Sequence, residues 1–424
     1  MGGGLAFKAI RQNYSRSIEV ASLMEVFTRM TNDCIIMGLV NNLSSLRKLS
    51  LLCYDQLGKY DSPSYYKLCA ISRAAGILAS RKKSLERGFR PKSPYAVKPE
   101  LVSCYGFKIR NGLLEIPVAR GRRFGIPLTK HTLHVISRPG VKVRSFTLTC
   151  NSLSLCISRD VPVIRCLSTV GVDRNLRNLT AGNDRETRQY DLSETVRIAR
   201  VSTDIVASFK RNDVRIRSTL FSKHGARRAH RVSHLLHNVT KRIVGVAVEQ
   251  RTAIVLENIE GIRSLYRKGN GQGRRYRGRM NCWSFGEAQR QIEYKARWFG
   301  LPVIRLSKGD TRGSSVACPR CGERLQSDKR LGRKLWCGNC RIVMDRDRVA
   351  AVNLARRGRL RFDRSQPKSW AQGPPGEAMA EELEPVRETV ILKVDGGKID
   401  SHEHNDATKG HQNHLIHLED VTDG

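Results

Sequence analysis

Residues 318–356 read CPRCGERLQSDKRLGRKLWCGNCRIVMDRDRVAAVNLAR and join a four-cysteine cluster to a pair of aspartates. Cys318 and Cys321 form one pair and Cys337 and Cys340 the next, with 15 residues between the pairs. Two such knuckles place four thiolates around one ion, the usual arrangement for zinc. Directly after them, Asp345 and Asp347 precede a helical apolar pattern that runs through Leu360. Asp347 is the candidate functional acid, and Asp345 caps the helix or supports its neighbour.

Outward from this stretch the chain is strongly basic, with a formal charge of +37 over 424 residues. That length implies two to four domains. From residue 365 onward there are 5 Lys/Arg against 12 Asp/Glu, which leaves 71 against 27 before it. So basic a body calls for a polyanionic partner. Nucleic acid leads over an anionic membrane, for which no amphipathic anchor is evident. No 18-residue apolar run exists, and the opening MGGGLAFKAIRQNY lacks the apolar centre of a signal peptide. A soluble, cytoplasmic protein is expected, its 12 cysteines being thiols or metal ligands rather than disulfides. The eight outside the knuckles stand singly, mostly among apolar residues, which favours core packing.

In the N-terminal part, residues 5–10 read as a short strand. Val20, Leu23, Met24, Phe27, Met30 and Cys34 then recur at steps of three and four, the period of an amphipathic helix. Helical pattern continues through 46–57 and 65–86. Between 89 and 163 the texture changes to short β-like runs at 103–110, 113–118, 132–137, 143–149 and 152–157. Turn signals such as Asn111-Gly112 and Pro139-Gly140 separate them, predicting a small antiparallel barrel or sandwich. Helical pattern returns at 193–209, 229–249 and 283–299. His230, His234 and His237 lie on the second of these. Arg227, Arg228 and Arg231 around them disfavour a bound cation, so the histidines read as a polar face toward nucleic acid.

Two more acids stand at the ends of apolar strands. The run TVGVDRNLRNLTAG at 169–182 delivers Asp173, and the run at 253–256 delivers Glu257. A carboxylate there is costly to bury without a partner, and turn capping is the plainer role for Asp173. Residues 263–279 hold Arg263, Arg267, Lys268, Arg274, Arg275, Arg277 and Arg279 with no acid, and Tyr266 and Tyr276 offer stacking faces. That makeup suits either a nucleic-acid contact or a solvated loop. Three acids at strand ends and a helix start have the chemistry to hold two Mg²⁺ ions about 4 Å apart. Such a pair activates water and stabilises the leaving oxygen in phosphodiester hydrolysis.

The motifs GVDRNLRNLTAG, IVLENIEG, IEYKARWFGLPVIRL, SSVACPRCG with CGNC, and DRDRVAAVNLA resemble, in the same order, those of the TnpB family. These are the RNA-guided nucleases of insertion sequences, related to compact type V CRISPR effectors. Each motif alone is weak; five in order, over roughly residues 165–360, are specific. The resemblance implies a multidomain α+β chain with a RuvC-like nuclease domain of RNase H fold at 166–310 and 344–362, split by a zinc ribbon at 311–343. Ahead of it would lie a wedge-type β-barrel, 1–18 and 88–165, carrying an inserted helical recognition lobe at 19–87. The acidic stretch 363–424 is expected to be a disordered tail.

By the same resemblance, Asp173, Glu257 and Asp347 are the catalytic acids and bind two Mg²⁺ ions, while Cys318, Cys321, Cys337 and Cys340 hold one structural Zn²⁺. The implied partners are a guide RNA and target double-stranded DNA, cut beside a short motif, with sequence recognition delegated to base pairing. Two positions depart from the family. Val349 stands where Asn is usual two residues after the third acid, removing an amide that would orient Asp347, and Asn175 replaces a glycine. Val349 gives weight to an alternative, a guide-dependent DNA-binding protein with weak or no cleavage. A DNA transposase or resolvase of RNase H fold is a further alternative, against which the ribbon before the third acid argues.

Overall fold

The computed structural model describes residues 4–119, 121–209, 216–259, 261–267, 269–365 and 390–392. These divide into two compact units, Leu5–Asp160 and a second that begins at Val161.

In the first unit, β1 (Gly4–Asn13) is followed by three helices, α1 (Ile18–Val40), α2 (Leu46–Cys53) and α3 (Ser64–Glu86). The Ser17 hydroxyl accepts from the Val20 N–H at 3.2 Å and so satisfies a free donor at the start of α1. The stripe repeating at three and four is what α1 buries: Val20, Met24, Phe27, Met30 and Cys34 are wholly enclosed. Next come β2 (Leu101–Ser103), β3 (Lys108–Arg110), β4 (Leu113–Ala119), β5 (Arg122–Pro127), α4 (Lys130–Ile136), β6 (Lys142–Leu148) and β7 (Ser152–Val161). The strands form a four-stranded sheet in the order β1-β7-β6-β2 and a three-stranded antiparallel sheet, β3-β4-β5. One core serves helices and sheets alike, with Phe27, Met30 and Tyr66 in the same cluster as Leu114, Phe146 and Leu153.

Two expectations change here. Residues 132–137 are not a strand but most of α4, because Thr129 caps it, its hydroxyl accepting from the Thr132 N–H at 3.2 Å. The run 103–110 is two strands, β2 and β3, broken at 104–107 where Gly106 takes a left-handed φ of +76°.

The second unit opens with an antiparallel meander of β8 (Ser168–Arg174), β9 (Asn178–Gly182) and β10 (Thr187–Asp191). After it come α5 (Ser193–Ser208), α6 (Phe221–Glu249), β11 (Thr252–Glu257), α7 (Arg274–Asn281), α8 (Phe285–Phe299) and β12 (Val303–Leu306). A small sheet of β13 (Gln326–Ser327), β14 (Lys334–Cys337) and β15 (Ile342–Asp345) leads into α9 (Arg346–Ser365). Finally β16 (Val390–Leu392) pairs parallel to β10. The tail expected at 363–424 otherwise lies almost entirely outside the described residues.

The main sheet has the order β12-β11-β8-β9-β10-β16, with β11 and β12 parallel to β8. A parallel strand covered on both faces reads as a continuous apolar run, and β11 does, with 252–256 all buried. Ile254 and Leu256 join the core built by α6 and α8, while Val255 packs with Leu354 of α9. Helix α9 lies almost backbone to backbone on β8. A Cβ at Gly171 would stand 2.1 Å from the Ala351 carbonyl oxygen, and one at Gly358 would stand 2.2 Å from Val255. The Thr169 hydroxyl donates to the Ala355 carbonyl at 2.8 Å across the same seam.

Replacing Gly171 by Ala is therefore expected to lower stability by about 1–3 kcal/mol, since rigid backbone must move. The control Gly286→Ala, in helix α8 with nothing within 4 Å of the new Cβ, is expected to be neutral or stabilising by up to ~1 kcal/mol. Thermal unfolding of the two variants checks this, and equal melting temperatures would contradict the close approach.

Candidate functional site

The acids of β8, β11 and α9 meet at one end of the main sheet. Val172 is paired with Leu256 across the parallel strands β8 and β11, so the next residues, Asp173 and Glu257, come side by side at the ends of the two strands. Asp347 arrives from the first turn of α9, held over β8 by the seam at Gly171. Asp173 feels both of the other carboxylates. Burial, and then the charges of Glu257 and Asp347, push the Asp173 carboxyl up to about 7. Burial also raises Glu257, opposed by the Arg174 guanidinium.

Neighbouring side chains fix each acid. The Asn175 amide donates to Asp173 Oδ2 at 2.7 Å and to Asn178 Oδ1 at 3.1 Å. Asn178 donates in turn to Asp347 Oδ2 at 3.0 Å, joined there by Gln189 at 3.2 Å. Arg333 forms an ion pair with Asp347 Oδ1. Arg174 is wholly buried and ties the end of β11 to the start of α8: it donates to the Glu257 carbonyl at 2.5 Å, to Gln289 Oε1 at 2.7 Å and to the Phe285 carbonyl at 3.2 Å. Asp345 accepts from the backbone N–H groups of Asp347 and Arg348 at 2.9 and 3.1 Å, which makes it the cap of α9.

The four cysteine sulfurs Cys318, Cys321, Cys337 and Cys340 all lie within 4.8 Å of one another. Two of the separations are 3.5 Å (Cys321 to Cys337) and 3.9 Å (Cys318 to Cys340). Tetrahedral zinc with Zn–S near 2.3 Å needs sulfurs about 3.8 Å apart, so the geometry suits one ion. A backbone N–H at Glu323 leads in drawing the Cys321 thiol down to about 7, while a hydrogen bond from Cys321 leads in pushing Cys340 up to about 12 and burial raises Cys318. Beneath the sulfurs Leu325 and Leu335 pack with Val349, which is fully enclosed. Val349 thus faces the ribbon core rather than Asp347, whose amide partners come from β9 and β10. Asn353 joins the two parts, its side-chain amide donating to the carbonyls of Ser314 and Ala317 at 2.7 and 2.8 Å.

The basic stretch contains α7, none of whose residues is buried. Arg267, Arg274, Arg275 and Arg279 are exposed, and Arg277 is half-buried with its guanidinium on the Gln272 carbonyl. The Arg263 side chain and Lys268 lie outside the described residues. Tyr276 is exposed, but Tyr266 is 4% exposed and offers no stacking face. His230 and His234 are exposed on α6, whereas His237 packs against Tyr294 of α8 and is held down to about 4 by burial and by Lys295. It is an interhelical contact, not part of an open polar face. Arg174, Asn178, Gln189 and Arg333 were missed in the sequence. An arginine inside an apolar strand was a signal for the first; the others make contacts only the tertiary fold creates.

Residues 285–354, from the start of α8 into the first half of α9, match the Cas12f1-like TNB domain family. The chain is 37% identical over 136 residues to the TnpB-like protein MJ0751 of Methanocaldococcus jannaschii, covering 32% of this chain and 46% of that protein. It is 27% identical over 121 residues to the CRISPR-associated endodeoxyribonuclease Cas12f1 of Sulfoacidibacillus thermotolerans, covering 28% and 25% respectively. The matched stretch thus spans less than half of either relative. In fold the chain is similar to Cas12f1 in its complex with sgRNA and target DNA, with a TM-score of 0.55 over 80% of this chain and 83% of that one at 12% identity. With the ordered motifs, the matched ribbon segment and the shared fold together, the chain belongs to the TnpB family.

Proposed function

We propose that the chain is an RNA-guided DNA endonuclease whose RuvC-like centre cuts target DNA by metal-dependent phosphodiester hydrolysis. The observation that carries this reading is the convergence of Asp173, Glu257 and Asp347 from two adjacent strands and a helix start. A three-strand meander followed by two strands parallel to its first, with the acids at adjoining ends, fits a nuclease core of RNase H type. The N-terminal unit then takes the part of a wedge barrel with its helical lobe.

The donor set suits Mg²⁺. The oxygens are hard carboxylates from separate rigid elements, and a divalent cation would offset the burial and the neighbouring charges that raise Asp173. Bound there, two Mg²⁺ ions would supply an activated water and charge stabilisation at the leaving oxygen. The chain's own part is to hold the acids still. Arg174 fixes the carbonyl of Glu257, and Asn175, Asn178 and Gln189 orient the carboxylates of Asp173 and Asp347. Exposed arginines such as Arg274, Arg275 and Arg279 would neutralise phosphates of guide and target. Val349, on which the weak-cleavage alternative rests, leaves Asp347 with two other amide donors, Asn178 and Gln189.

Four measurements test the reading. Co-expression with flanking genomic sequence should yield a discrete copurifying RNA and a complex that linearises a matched plasmid in Mg²⁺. Asp173→Ala should abolish cutting yet retain the RNA, and cutting by that variant would refute the site. Because Asp173 titrates near 7 and must lose its proton to bind a cation, divalent-metal affinity should rise by roughly tenfold from pH 6 to pH 8; a flat titration would contradict it. Metal analysis should give about one zinc per chain, kept in Asp347→Ala and lost in Cys337→Ser.

A further inference from the structure

The ribbon touches the acidic centre through one charged side chain. Arg333 stands just before β14, after Gly332 with φ +60°, and its carbonyl accepts from the Arg346 N–H at 3.3 Å. Its guanidinium lies on Asp347 Oδ1. The two partners are unlike: the Asp347 side chain is 3% exposed and that of Arg333 is 65% exposed. The other oxygen of Asp347 is held by neutral amides, from Asn178 and Gln189. A group that already faces solvent therefore neutralises a buried carboxylate, and it can leave without exposing any core. Arg174, the other cation by the acids, is wholly buried and bonded to three partners, and it has no such freedom.

We propose that Arg333 is a displaceable counter-ion of the acidic centre, holding Asp347 while no divalent cation is bound and yielding it when one binds. The proposal rests on reading the three acids as metal ligands. A guanidinium and a divalent cation on the same carboxylate repel each other at close range, so ribbon contact and metal loading are alternative states. Linkage makes the effect reciprocal: whatever Arg333 takes from metal affinity, the metal takes from the stability of the hairpin at 328–336.

The test is Mn²⁺ binding to the full chain, measured by electron paramagnetic resonance at fixed pH. Arg333→Gln, which removes the charge from an exposed position, should bind Mn²⁺ about tenfold more tightly than the wild type, or ~1.4 kcal/mol. Arg333→Lys, which keeps the charge, should stay near the wild-type affinity. Unchanged or weaker binding in Arg333→Gln would overturn the proposal, and so would equal tightening in Arg333→Lys. Hydrogen exchange adds an independent readout. Mn²⁺ should speed exchange at 328–336 in the wild type and leave it unaltered in Arg333→Gln, whereas protection of the wild-type hairpin by Mn²⁺ would contradict the proposal. Asp347→Asn separates the two ideas: if it leaves Mn²⁺ binding intact, the metal-ligand reading itself is wrong, whatever Arg333 does.

Discussion

Three carboxylates placed together at the end of a buried sheet repel one another and lose water, and the second unit is arranged around tolerating that. The cost shows in Asp173, which holds its proton to about 7. It is contained by two kinds of partner. Neutral amides on β9, β10 and the turn between β8 and β9 supply donors without adding charge. Arg174 and Arg333 add positive charge, one locked inside the protein and the other at its surface.

The ribbon and α9 act as one piece of structure. Val349 leaves the first turn of α9 to close the ribbon core under the cysteines, Asn353 clasps the segment before the first knuckle, and Asp345 ends the last ribbon strand while capping the helix. The placement of Asp347 and the geometry of the ribbon are therefore coupled by covalent proximity. The same contacts suit a valine at position 349, whose side chain is buried against Leu325 and Leu335.

Much of this was legible in the sequence where the signal was local. Cysteine spacing gave the ribbon, the apolar run at 252–256 gave a doubly covered strand ending at Glu257, and periodicity gave α1, α3 and α8. What stayed hidden depended on contacts between distant segments. β10 reads TRQYD and β5 reads RRFGIP, too polar for pattern to reveal, and they are strands because neighbours supply their ladders. Residues 132–137 carry β-branched residues, yet the cap at Thr129 prevails. Tyr266 and His237 looked available because their neighbours in sequence are basic, but packing encloses one and half-buries the other. The identity of the acids could be argued from strand ends, whereas the set of amides and guanidinium groups orienting them could not.

The close seating of α9 on β8 has a consequence for synthesis. Asp173 emerges early in the second unit, but the helix that brings its third companion follows the whole ribbon in the chain. A ribosome must finish the cysteine knuckles before α9 can settle on Gly171 and close the acidic cluster. Because domains fold from the N-terminus as they are made, a nascent or truncated chain ending before Arg346 carries two of the three acids and lacks the helix that seats the third. The order of elements along the polypeptide thus delays assembly of the centre until the unit around it is nearly complete.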